Sequence, residues 1–216
     1  MRRRTKMPGA PGAPGAPGAT RTTRVPRVVL LTDRTQLPAE HCLVETIIEC
    51  HRAGLQAVVV REHDLEPATR RTLVSELARL PGLWVISSRI PDPAAHGLHL
   101  AAHQPAPRPL AGLAQGWGRW GRSCHSRAEV DRAATEGAAW VTLSPFAPSL
   151  SKPGYGPPLP ELAWADHPLP VLALGGITPE NAPRVRAAGA HGVAVMGEVM
   201  RATNPGDVVA RLLEAV

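Results

Sequence analysis

The stretch "PVLALGGITPEN", residues 170–181, sets a four-residue apolar run against two glycines and a Thr-Pro pair. Val171–Leu174 has the unbroken apolar character of a strand buried on both faces, as strands of a parallel sheet are. Gly175-Gly176 ends the run, and Thr178-Pro179 predicts a helix with the threonine as N-cap and the proline as its first residue. The pattern recurs in "AHGVAVMGEVM", residues 190–200, where Val193–Met196 closes on Gly197. Two adjacent strand ends with side-chain-free turns let backbone N–H groups approach an anion closely, with a helix N-terminus aimed at its charge. In (β/α)8 barrels a phosphate usually sits after strands seven and eight. These are the last two such turns in the chain.

Working back toward the N-terminus, the same alternation repeats. Apolar runs at Val28–Thr32, Leu55–Val60, Leu83–Ser87, Gly97–Leu100, Trp120–Cys124 and Ala139–Leu143 predict six earlier strands. Amphipathic stretches at Ala39–Ala53, Pro67–Leu80 and Ser126–Glu136 predict helices, and Val208–Ala215 a final one. Between the third and fourth strands there is room for a short helix at most, and a long loop follows the sixth strand to about Pro160. Eight strands alternating with helices define a parallel α/β fold. An open doubly wound sheet is the rival architecture. The single (β/α)8 TIM barrel is preferred because Arg61, Ser87, His125, Ser144 and both glycine turns fall at strand C-terminal ends, the pattern of a site ringed by βα loops.

The net charge of +6 and pI near 10.2 invite a nucleic-acid reading. Seven of the 24 basic residues lie within residues 1–27 with no acid among them, which leaves 17 basic against 18 acidic groups elsewhere. The folded part is thus close to neutral, and the basicity belongs to a tail. Residues 8–19 repeat Gly-Ala-Pro, too briefly for collagen. Residues 1–26 are therefore expected to be a disordered basic tail, and 27–216 one domain. Neither a secretory apolar core nor an 18-residue membrane span is present. Cys42, Cys50 and Cys124 show no metal spacing and suit a reducing, cytoplasmic setting. Cys42 and Cys50 are read as packing residues of one helix. Neither a nucleic acid nor a membrane is an expected partner, and homo-oligomerisation is left open.

Four segments together resemble a known family: "VVVREHDL" (58–65), "GRSCHS" (121–126), "TLSPFAPSLSKPGYGPP" (142–158) and "LALGGITPENAPRVRAAGAHGVAVMG" (172–197). The combination is similar to the thiamine-phosphate synthase/TenI-like thiazole tautomerase family over about residues 27–216. The resemblance implies a TIM barrel of thiamine biosynthesis that binds a thiazole phosphate. Synthases of this family join it to a pyrimidine diphosphate, release pyrophosphate and use Mg²⁺; tautomerases move a proton on the thiazole carboxylate phosphate and need no metal.

The resemblance also carries over residue by residue. Arg61 could clamp a diphosphate through its planar fork. Ser149, Ser151 and Lys152 match a hydroxyl-x-hydroxyl-Lys phosphate loop, and Lys152 is the only lysine beyond the tail. Ser123 matches a serine that contacts the pyrimidine, or caps its own turn. Gly175, Gly176, Met196 and Gly197 form the thiazole-phosphate turns. His125 is the expected catalytic residue, since an imidazole can take a proton from one carbon and return it to another. Cys124, next to it in a strand, should face the other way, which argues against a Cys–His nucleophile pair.

Synthases place an Asn-Asp pair after strand three and an Asp shortly after strand four. The aligned residues here are Ser87-Ser88 and about Gln104, and neither position carries a carboxylate. The synthase Gln and Lys near Arg61 are replaced by Val59 and His63. Magnesium is held by carboxylates, water and substrate phosphates, so the expected metal set is empty. On this ground the resemblance favours tautomerisation over synthesis. A protein that binds thiamine precursors without catalysis is the third reading. His96, His99 and His103 are not expected to bind a metal, because Pro93, Gly97 and a strand at 98–100 break any helical spacing. Trp84 and Trp140 are expected in the core.

Overall fold

A computed structural model describes residues 25–107, 120–149, 154 and 156–216. The tail read at residues 1–26 lies almost wholly outside these, as do Ser151 and Lys152. Eight parallel strands close on themselves in chain order: β1 (Val28–Leu31), β2 (Ala57–Val60), β3 (Trp84–Ser88), β4 (Gly97–Leu100), β5 (Trp120–Cys124), β6 (Trp140–Leu143), β7 (Val171–Leu174) and β8 (Gly192–Val195). Closure is made by β1 and β8, with Val28 opposite Val193 and Leu30 opposite Val195. The chain is a TIM barrel, as the alternation predicts.

The helical layer is less regular. α1 (Leu43–Arg52), α2 (Pro67–Leu77), α3 (Arg127–Thr135), α4 (Ala182–Ala187), α5 (Gly197–Met200) and α6 (Pro205–Ala215) pack outside the strands. No helix forms between β3 and β4; that stretch is turns and bends. Among the described residues between β6 and β7, only a 3-10 turn at Glu161–Ala163 is helical. The helix expected to start at Thr178-Pro179 starts one turn later. Asn181 Oδ1 accepts from Thr178 N at 3.0 Å, and Ala182 N donates back to Thr178 O, so a capping turn precedes α4. Likewise α1 begins at Leu43 with Cys42 as an exposed N-cap, so Cys42 is not a packing residue, whereas Cys50 is buried.

Strand alternation sorts residues to two faces. Val28, Leu30, Val58, Val60, Val85, Val141 and Val193 face the helices and form one apolar cluster with them. Val29, Leu31, Val59, Ile86, Trp140, Leu172 and Ala194 form a second cluster inside the barrel. Cys124 belongs to the outer cluster, so it does turn away from the barrel axis. Trp140 is fully buried, and its indole occupies the place where a side chain at Gly121 would stand. His99 stacks on the same indole, with ring centroids 5.0 Å apart and planes 19° from parallel, and its Nε2 lies 3.3 Å from Thr142 Oγ1. Burial, with Arg61 and Arg89 nearby, pushes the His99 imidazole down to about 3. It is therefore neutral in the folded protein at ordinary pH.

Two outcomes follow from this interior. Gly121→Ala forces a methyl group into the Trp140 ring and should destabilise the protein by about 1–3 kcal/mol in urea denaturation. His99 titrates normally when unfolded and far lower when folded, so stability is intact above about pH 6.5 and is lost as pH falls toward 3. His99→Leu should remove about one proton from the uptake on unfolding near pH 4.5. The slope of stability against pH would then be shallower there by about 1.4 kcal/mol per pH unit.

Candidate active site

The barrel is plugged by Trp140 and His99 and opens at the strand C-terminal ends into a cavity of about 500 Å³, within the usual range for small-molecule sites. Every described residue expected to bind substrate lines it: Arg61, Ser123, Ser149, Gly175, Gly176, Met196 and Gly197, together with His125. Residues from β1 to β8 converge there although they lie far apart in sequence.

On the β7–β8 side, Gly175 and Gly176 have φ of +96° and +61°, a left-handed conformation that favours glycine. A side chain on Gly176 would collide with the backbone of Ala147 and Pro148, so the β6–β7 loop lies directly over this turn. Ala147 N donates to Gly175 O at 3.0 Å and holds the two together. After β8, Met196 serves as N-cap of the short α5. The Arg201 guanidinium folds back over Gly197 and donates to Gln36 Oε1. Arg201 was missed in the sequence because its backbone ends a helix while its side chain returns to the opposite end of that helix.

His125 follows β5 and is fixed from two directions. Its backbone N–H donates to Glu129 Oε2 at 2.6 Å, while Glu129 N donates to Ser126 Oγ at 3.3 Å. This is a variant of the capping box, with Ser126-x-x-Glu129 spacing but with the glutamate reaching the N–H one residue before the cap. The His125 Nδ1 lies 3.1 Å from Ser144 Oγ and 3.3 Å from Ser144 O, beyond β6. A carbonyl only accepts, so this contact favours the tautomer with hydrogen on Nδ1 and a lone pair on Nε2.

On the β2–β3 side the sequence reading needs one correction. Ser87, expected at the mouth, faces outward, where its hydroxyl accepts from the Arg70 guanidinium at 3.0 Å and donates to Ile90 O. Ser88 is the inward residue and lines the cavity. Beside it stand Arg61 and Arg89. Arg61 donates to the thioether of Met196 and forms no ion pair within 4 Å with a described carboxylate. Burial lowers its pKa, partly offset by Asp33. A half-buried guanidinium whose partner is a weak sulfur acceptor is well prepared for an anionic ligand.

The cavity is not free of acids, since Asp33 and Glu198 also line it. Asp33 Oδ1 accepts from Thr35 Oγ1 at 2.6 Å, and its other oxygen accepts from Gln36 Nε2 at 2.6 Å, so both oxygens are used in a local turn. Among the described residues no group of three or more His, Cys, Asp or Glu could hold a metal ion. The donors aligned with the magnesium carboxylates of synthases do not fit a hard cation either. Ser88 offers one hydroxyl. Gln104 turns from the cavity, its Oε1 accepting from Ala101 N at 2.9 Å and its Nε2 donating to Arg89 O at 3.1 Å. The three histidines of residues 96–103 are also separated: His96 Nδ1 accepts from Val85 N, His99 lies inside the barrel, and His103 lines the cavity.

Known proteins are similar to this chain along most of its length. A Geobacter sulfurreducens protein provisionally named a thiamine-phosphate synthase is 34% identical over 197 residues, 85% of this chain and 91% of its own length. A thiamine-phosphate synthase of Roseiflexus castenholzii is 33% identical and covers 82% of each chain. Among solved structures, thiamine phosphate pyrophosphorylase from Pyrococcus furiosus superposes with a TM-score of 0.71 at 22% identity, over 88% of this chain and 94% of that one, a likeness of fold. No helix among the described residues is long and apolar enough to cross a membrane. The family described as thiamine monophosphate synthase matches residues 28–199, and the chain belongs to that enzyme family.

Proposed function

We propose that this chain acts in thiamine biosynthesis as a thiamine-phosphate synthase, joining a thiazole phosphate to a pyrimidine diphosphate. The names of its relatives support this chemistry over the tautomerisation that the sequence alone favours. One observation of the cavity carries it: two anion-suited walls share a single space. Gly175-Gly176, Gly197 and Arg201 form one, and Arg61 with Arg89 forms the other. A reaction between two phosphorylated partners needs such a pair. In this reading the thiazole phosphate lies against the glycine turns, and Ser149, Ser151 and Lys152 supply further contacts. The thiazole nitrogen forms a bond to the pyrimidine methylene carbon as the bond from that carbon to the diphosphate breaks, so pyrophosphate leaves with the electron pair. Ser123, on the inward face of β5, contacts the pyrimidine.

A second reading is favoured by a specific feature. His125 is oriented by Ser144 and Glu129 at the rim, with a lone pair on Nε2 in the favoured tautomer. That is the equipment of a proton-transfer catalyst acting on a thiazole carboxylate phosphate. Neither reading routes a step through magnesium.

Purified protein given both phosphorylated substrates should release thiamine phosphate and pyrophosphate in equal amounts. An absence of product at every metal condition, with isomerisation of the thiazole carboxylate phosphate instead, would overturn the first reading in favour of the second. His125→Ala should then lower isomerisation by about 10²-fold or more while binding of thiazole phosphate persists in calorimetry.

A further inference from the structure

The β2 and β3 ends carry positive charge where the family resemblance leads one to expect metal-holding carboxylates. Arg61 and Arg89 line the cavity on either side of Ser88. The His63 Nε2 lies 3.4 Å from Ser88 Oγ. Behind Ser88, buried Arg70 donates to the carbonyls of Val60 and Ser88 and to Ser87 Oγ, and its Nε has no hydrogen-bond partner. The nearby acids are committed elsewhere. Glu62 is buried and bonded by the backbone and guanidinium of Arg34, and Asp64 pairs with the same guanidinium at 2.7 Å. Asp92 caps a turn through Ala94 N at 2.9 Å.

The field of this cluster is registered by His63, whose pKa falls to about 4 through burial and the charges of Arg89, Arg70 and Arg61. A divalent cation placed over Ser88 would meet the same repulsion, and Asp33, the carboxylate that acts on Arg61, already has both oxygens bonded by Thr35 and Gln36. An oxyanion would meet guanidinium groups instead, which bind phosphate oxygens bidentately.

We propose that Ser88, backed by His63, floors an oxyanion site, walled by Arg61 and Arg89, that holds a diphosphate directly with no divalent cation between. This rests on the two-substrate reading above and differs from the family's metal-dependent arrangement. Arg89 is central. It sits at φ +62°, an uncommon backbone for a long side chain, and its peptide is clamped on both sides: Arg89 N donates to His99 O at 2.8 Å and Arg89 O accepts from Gln104. Gln104 therefore serves as a brace that presents Arg89 to the cavity. A carboxylate at position 104 could not donate to that carbonyl in its ionised form.

The test is calorimetric titration of the full chain with inorganic pyrophosphate, in EDTA and in magnesium. Wild-type protein should bind in EDTA with an affinity within about threefold of that in magnesium. Arg89→Asn, which tolerates the left-handed backbone, should lose at least about tenfold in EDTA while keeping its urea midpoint. Ser88→Asp should also lose at least about tenfold in EDTA and recover when magnesium is added. Pyrophosphate binding by the wild type in magnesium only, or unchanged binding by Arg89→Asn, would overturn the site. Turnover of both substrates alongside magnesium-only binding would leave the synthase reading standing without it. Binding in EDTA with no synthase turnover would support the site and remove that reading.

Discussion

The Trp140 indole fills the axis of the barrel, and the rest of the site depends on what that ring displaces. It takes the volume opposite Gly121, packs edge-on against Trp84 at 5.9 Å, and gives His99 a face to stack on. Around this plug the interior is aliphatic, with Val29, Ala57, Val59 and Ile86 among its residues. Above it the lining becomes polar, because inward positions one step further along the strands are Ser88, Ser123 and Thr142. Close packing makes such a plug rigid. The cavity therefore has a fixed floor, against which small differences in the rim can be felt by a ligand.

Charge is then distributed around the rim by strand parity. Arg61 points inward because it follows Val60, whose side chain packs on helices, while Val59 faces the axis beneath it. Ser88 points inward because Ile86, two residues earlier in the same strand, faces the barrel interior. The same parity turns Ser87 toward α2, where Arg70 receives it. A buried arginine without an ion-pair partner is costly to maintain unless its donors are satisfied. Arg70 meets part of that need through one terminal nitrogen, which donates to two carbonyls and a hydroxyl, none anionic, while its Nε has no hydrogen-bond partner. Its positive charge is thereby left to act on the neighbouring cavity.

The architecture was legible because period and punctuation agreed: β4, β5 and β7 have the bounds expected from their apolar runs and flanking glycines. The convergence of Arg61, His125 and the glycine turns was legible too, partly from residue type at strand ends and partly from resemblance. Three things were not. Ser87 against Ser88 is a one-residue question of register, and a one-residue slip exchanges faces. The four-residue α5 is too short to show helical periodicity. Arg201, Arg70 and Arg89 read in one dimension as ordinary basic residues, since the sequence does not say which guanidinium is paired. The carboxylates of Asp33 and Glu198 entered the cavity because helix and loop starts on β1 and β8 return to the mouth.

Those two acids bear on the chemistry. A cavity with several guanidinium groups and no acid would be a poor release site, since a multiply charged product would be held as firmly as its parent group. Asp33 lies close enough to Arg61 to raise that group's pKa against the effect of burial, so part of the arginine's charge is already answered by the protein itself. An arriving oxyanion must compete with this carboxylate, which itself is held by Thr35 and Gln36 and does not swing away freely. Gln36 also accepts from Arg201, which reaches over the Gly197 turn. Through this one amide, the turn that holds Asp33 near Arg61 is mechanically joined to the phosphate side of the cavity. Arg201 on one side of the cavity and Asp33 beside Arg61 on the other are thus linked by hydrogen bonds of the protein itself.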